Sequence, residues 1–142
     1  MMQAVIMAGG KGTRLAALTK DEIPKPMVPV AGRPLLLWQV ERLKENGITD
    51  IVMVIGHLGD KIREYFGDGE KFGVSIRYFE ETEPLGTAGS FYYLKDMIRG
   101  NRFVMMSGDL FFDIDFQRMI HFHEEKGAVA TLFVHPNGHP FD

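Results

Sequence analysis

The chain has 142 residues, 45% of them hydrophobic and 25% charged, which is the make-up of one soluble globular domain. Sixteen Lys and Arg against nineteen Asp and Glu leave a net charge of −3, which argues against a nucleic-acid binder with a broad basic face. There is no cysteine and no apolar run near the roughly 20 residues a membrane-spanning helix needs, so disulfides, thiolate catalysis, zinc–thiolate sites and a bilayer span are excluded.

The opening Met-Met-Gln-Ala-Val-Ile-Met-Ala lacks a basic leader and runs straight into glycines, so it reads as a strand over Gln3–Ala8 and not as a signal peptide. A cytoplasmic location is the default expectation. Residues 9–33 mix Gly, Pro and Lys without a period and read as a long ordered loop, the kind that in compact domains tends to carry function. Pro34 suits a first helical turn, Leu35 to Lys44 follow as an amphipathic helix, and Asn46-Gly47 closes it. Ile51–Ile55 reads as a strand buried on both faces. Asp60 is a candidate cap for a short helix through Phe66, ended by Gly67. Val74–Phe79 alternates as a strand, Gly86–Ile98 reads as a helix, and Phe103–Met106 as the next buried strand. Asp115 caps a helix to about Lys126, and Ala128–Val134 reads as a last strand. Strands alternating with helices predict an α/β fold, a mostly parallel sheet in a Rossmann-like three-layer sandwich with right-handed crossovers. Residues 1–142 form one domain.

In such a sheet ligands sit at the carboxyl ends of the strands, where residues 9–14, 81–89 and 107–113 are expected to converge. Gly9-Gly10-Lys11-Gly12-Thr13-Arg14 can turn backbone N–H groups toward an anion, and Arg14 offers a bidentate donor to phosphate. The spacing is neither G-x-G-x-x-G nor a Walker loop. A plain glycine turn would explain neither the number of glycines nor the arginine. Lys25 lies in Ile23-Pro24-Lys25-Pro26-Met27-Val28-Pro29, whose prolines stiffen the backbone beneath a phosphate-neutralising ammonium. Taken alone, it reads equally as a solvated lysine. Asp109, after Ser107-Gly108, is placed to hold Mg²⁺ beside a phosphate or to serve as a turn aspartate. Asp113 and Asp115 are weaker candidates. Glu81, with Gly86 and Thr87 after it, can approach a base. Its carboxylate only accepts hydrogen bonds and so matches the adjacent donors of guanine, although acidic residues also favour a helix N-terminus for its own sake. The histidines carry no metal-ligand spacing.

Ala8-Gly9-Gly10-Lys11-Gly12-Thr13-Arg14-Leu15, followed by Pro24-Lys25-Pro26-Met27-Val28-Pro29-Val30, resembles the signature of sugar-1-phosphate nucleotidylyltransferases. Pro84-Leu85-Gly86-Thr87-Ala88-Gly89 and Ser107-Gly108-Asp109 agree with it in type and order. The resemblance implies the nucleotide-diphospho-sugar transferase type of fold. It also implies transfer of a nucleotidyl group from a nucleoside triphosphate to a sugar 1-phosphate with release of pyrophosphate and dependence on Mg²⁺, with no covalent enzyme intermediate. Carried over residue by residue, Ala8, Gly9, Gly10, Gly12 and Thr13 cradle the nucleotide and Arg14 holds the departing phosphates. Lys25 bridges the α-phosphate and the sugar phosphate, Asp109 is a metal ligand, and Glu81, Gly86 and Thr87 face the base. Glu81, the Pro-Leu-Gly-Thr-Ala-Gly run and the tail resemble guanylyltransferases acting on mannose 1-phosphate or D-glycero-D-manno-heptose 1-phosphate, so GTP is the favoured partner. A dTTP- or UTP-specific enzyme, a related enzyme with another phosphorylated acceptor, and a non-catalytic nucleotide sensor are the rivals. Two departures stand out. Ala17 replaces a proline common in the family, and the family's domain runs well past this length, so the chain is expected to be its nucleotide-binding half, truncated before the sugar-binding half. Association into a homo-oligomer is left open.

Overall fold

Strand β1, Gln3–Met7, lies inside a four-stranded sheet with β4, Asp50–Ile55, on one side and β6, Phe103–Ser107, on the other; β5, Ser75–Glu80, flanks β4. All three ladders are parallel. The computed structural model describes residues 2–10, 22–83, 86–134 and 136, with the backbone alone at 86–88.

Burial explains why the strands are so apolar. Along β1 and β4, successive side chains point to opposite faces, yet Ala4, Val5, Ile6 and Ile51 through Ile55 are all fully buried. Both faces are therefore covered. Val5, Val52 and Val54 pack with Leu94 of helix α3, Gly86–Leu94, together with Phe91, Met97 and Ile98. On the other face, a Cβ on Gly59 would meet the Ile55 side chain at 3.0 Å, so helix α2, Gly59–Phe66, starts directly against β4. Helix α1, Leu35–Glu45, buries Leu36, Val40 and Leu43 completely.

Several local elements differ from expectation. The predicted loop over 9–33 contains a 3-10 turn at Lys25–Met27 and a two-stranded antiparallel hairpin, β2 Pro29–Val30 with β3 Arg33–Pro34. Asp60 does not cap α2; the cap position is Leu58, in a left-handed conformation, and Asp60 lies inside the first turn, where its charge still suits the helix dipole. The helix expected to reach Ile98 is helical to Leu94 and continues as a turn.

By contacts the chain divides into Met1–Phe112 and Asp113–Asp142. The second unit contains α4, Phe116–Lys126, capped by the Asp115 carboxylate accepting from the Arg118 amide at 2.9 Å and closed by Gly127 at φ 56°. The strand expected at Ala128–Val134 does not form. These residues have no ladder partner among the described residues, and Val129, Leu132, Phe133 and Val134 are exposed. An apolar run favours extended backbone only where a neighbouring strand takes up its N–H and C=O groups.

Candidate active site

Each core strand hands its ladder on by one residue at the carboxyl edge. The Ala8 amide donates to Val54 O, the Gly108 amide to Met7 O and the Glu81 amide to Ile55 O, each at 2.8 Å. The segments that the sequence singled out as chemistry-bearing thus leave the same edge of the sheet, as expected for those parts of them that are described. Gly12, Thr13 and Arg14 lie outside the described residues.

Lys25 and Asp109, 84 positions apart, meet here. The Lys25 Nζ donates to Asp109 Oδ2 at 2.6 Å, and Ser107 Oγ donates to Oδ1 at 2.5 Å. Lys25 begins a 3-10 turn closed by Met27 N on Pro24 O at 2.8 Å and Val28 N on Lys25 O at 3.1 Å, with Pro24 and Pro26 buried. The Trp38 indole on Val30 O (2.9 Å) and Leu35 N on Val28 O (3.0 Å) bind the following hairpin to α1. The ammonium therefore rises from a braced support. Partial burial pushes the Asp109 carboxyl up, but the hydrogen bonds from Lys25 and Ser107 outweigh it and hold the group below the usual aspartate range.

The turn carrying Asp109 is secured from two sides. A Cβ on Gly108 would come within 3.1 Å of Ala8 Cβ and 3.2 Å of Met7 O, so Gly108 lets β6 close on the end of β1. From α1, the Gln39 Nε2 donates to Ser107 O at 3.0 Å and to Leu110 O, bracketing Asp109. Gln39 is buried, and its Oε1 has no hydrogen-bond partner among the described residues. Sequence reading placed Gln39 only within an amphipathic helix.

On the other flank, Ser90 Oγ donates to Glu81 Oε1, and Ser90 is fully buried. A Cβ on Gly9 would lie 3.1 Å from Glu81 Oε2, so the glycine backbone sits against the second oxygen. A Cβ on Gly56 would be 2.8 Å from Gly9 O, which makes Gly56 the residue that admits the glycine loop beside β4. No described residue comes within 4 Å of where a Cβ on Gly10 would stand. Gly86 and Thr87 begin α3. Ser90 and Gly56 carry no motif that could have marked them.

Asp109 offers one ionised oxygen ligand, and among the described residues no three His, Asp or Glu gather as a metal cage. That donor set fits Mg²⁺, which is commonly held by one or two carboxylates together with substrate phosphates and water.

A family model described as nucleotidyl transferase matches residues 3–141. The chain is 42% identical over 118 residues to D-glycero-alpha-D-manno-heptose 1-phosphate guanylyltransferase of Campylobacter jejuni, covering 83% of this chain and 52% of that protein. It is 37% identical over 142 residues to UTP--glucose-1-phosphate uridylyltransferase of Synechocystis, covering 92% and 36%. Among solved structures, that of HddC from Yersinia pseudotuberculosis complexed with GMP-PN superposes with a TM-score of 0.76 at 31% identity, over 87% of this chain and 54% of that one. The chain thus spans between about a third and about a half of the proteins it matches.

Proposed function

The chain belongs to the nucleotidyl transferase family of sugar-1-phosphate nucleotidyltransferases, and from that premise we propose that it forms the nucleotide-binding part of an enzyme that transfers a nucleotidyl group, with GTP as the favoured donor, to a sugar 1-phosphate. The observation that carries this reading is the order of groups along the sheet edge. Glu81 follows β5 at one side, Gly9-Gly10 follow β1, and the Lys25–Asp109 pair lies at the end of β6 on the other side. Neighbouring strands are about 4.8 Å apart, so three spacings give roughly 14 Å between β5 and β6. The Glu81 side chain reaches back from β5 toward Gly9 at the end of β1, so a nucleotide with its base at Glu81 and its phosphates at Lys25 and Asp109 lies within that span.

In the reaction a sugar phosphate oxygen attacks the α-phosphorus in line, the bond to the bridging oxygen breaks, and pyrophosphate leaves with the electron pair. The residues contribute position and charge. Lys25, held by Asp109 until substrate arrives, faces the α-phosphate and the incoming sugar phosphate and lowers the repulsion between them. Gly9 and Gly10 let backbone approach the nucleotide, Ala8 continues the ladder beneath them, and Gly12, Thr13 and Arg14 complete the cradle, with Arg14 on the leaving phosphates. Gly86 and Thr87 lie beside the base. Asp109 would hold Mg²⁺, which when bound supplies neutralisation of phosphate charge. The acceptor of Glu81 favours guanine, in keeping with the guanylyltransferase of Campylobacter jejuni and with GMP-PN in HddC. The Synechocystis uridylyltransferase makes UTP the second candidate.

Thermal unfolding with GTP, UTP, dTTP, CTP and ATP, with and without Mg²⁺, tests this. A nucleotide at 100 times its Kd adds about 2.7 kcal/mol. The expected result is a Mg²⁺-dependent rise largest for GTP. A larger rise with UTP or dTTP overturns the guanine assignment alone, and no rise with any nucleotide overturns the nucleotide site.

A further inference from the structure

We propose that Ser90 is a positioning residue that sets base selectivity by keeping the Glu81 carboxylate from turning away from an ill-matched base. This rests on the reading above that Glu81 faces the base.

Two hydrogen bonds hold Glu81, and Gly9 leaves room beside it. Its amide extends the β4–β5 edge by donating to Ile55 O at 2.8 Å. Its Oε1 accepts the Ser90 hydroxyl, and its Oε2 lies against the backbone of Gly9, 3.1 Å from where a Cβ would stand. Ser90 is fully buried on α3, so its hydroxyl reaches the carboxylate from a rigid support.

Selectivity follows from this restraint. An ionised carboxylate accepts hydrogen bonds and cannot donate them. Guanine presents two adjacent donors to it, whereas uracil and thymine flank their single donor with carbonyl oxygens that repel it. A carboxylate free to rotate into water would escape that repulsion, and the two classes of base would bind more nearly alike. One held by Ser90 stays in place, and the mismatched base meets an unpaired, like-signed acceptor, the situation in which binding sites discriminate most sharply. Ser90 thus acts on base choice without touching the base.

The experiment is a set of binding measurements for GTP and UTP on the wild-type chain, Ser90→Ala, Ser90→Cys, Glu81→Gln and the double variant. Alanine suits a helix, and Cys has nearly the size of Ser with a weaker donor, so the series separates loss of the hydroxyl from loss of packing. The expected result is a fall of about tenfold in the GTP-to-UTP affinity ratio in Ser90→Ala, the scale of one hydrogen bond to a charged group. Ser90→Cys is expected to lie between, and Ser90→Ala to have little further effect once Glu81 is Gln. If Glu81→Gln changes the ratio while Ser90→Ala weakens both nucleotides equally or neither, the proposal is overturned and the base reading survives. If Glu81→Gln leaves the ratio unchanged, the base reading falls and the proposal with it.

Discussion

Asp109 has a hydrogen-bond donor on each carboxylate oxygen, Lys25 on one and Ser107 on the other. Its pKa in the folded chain therefore lies below the ordinary aspartate value of 3.8. Near that pH the unfolded chain binds more protons than the folded one, so stability rises with pH through this window. Wild-type protein is expected to lose the Asp109 contribution as the pH falls from about 5 through the folded pKa, while Asp109→Asn lacks that component. Denaturant titrations of both proteins across this range check it, and parallel pH profiles would refute the assignment. Both charged residues were visible in the sequence, Lys25 from the prolines around it and Asp109 from its place after a strand. Their pairing was not visible, because contact across 84 positions leaves no local pattern.

The strands and helices that fill the core were legible for a plain reason. β1, β4 and the buried half of β6 are short apolar runs ended by Gly, and α1 and α4 show a helical stripe with Asn-Gly or Gly past the end. What escaped was set by neighbours. The hairpin β2–β3 spans two residues per strand, too short for a period to show. The run at 128–134 has strand composition without a ladder partner among the described residues. Gln39 looked like one more polar residue on α1, although it ties that helix to the turn after β6. Replacing it by Leu leaves the carbonyls of Ser107 and Leu110 unpaired beside an apolar side chain. Gln39→Leu is expected to lower stability by about 1–3 kcal/mol in urea denaturation. It is also expected to weaken binding of Mg²⁺-nucleotide more than that of metal-free nucleotide, since the turn it holds carries Asp109. Equal weakening of both would mean that Gln39 supports the fold and does not orient Asp109.

At the scale of the whole molecule, order is distributed unevenly, and the sheet explains how. β1 and β4 are paired on both sides and have both faces buried, so their amides cannot meet water without opening the sheet. β6 is paired on one side only among the described residues, with Phe103 and Met105 exposed on one face. Beyond α4, the Ala128 amide donates to His123 O at 3.2 Å, and His123 Nδ1 meets Thr131 Oγ1 at 2.9 Å. The apolar side chains on either side of Thr131 remain in water. Local opening free energies should therefore fall from a value near global stability in β1 and β4, through β6, to almost nothing along 129–134. Amide hydrogen exchange followed by mass spectrometry or NMR measures this directly. The expected order is slowest exchange at Ala4–Ile6 and Ile51–Val54, intermediate exchange at Val104–Met106, and exchange close to the unprotected rate at Val129–Val134. Protection at 129–134 equal to that of β6 would mean that this run pairs as a strand in solution after all, as its composition first indicated.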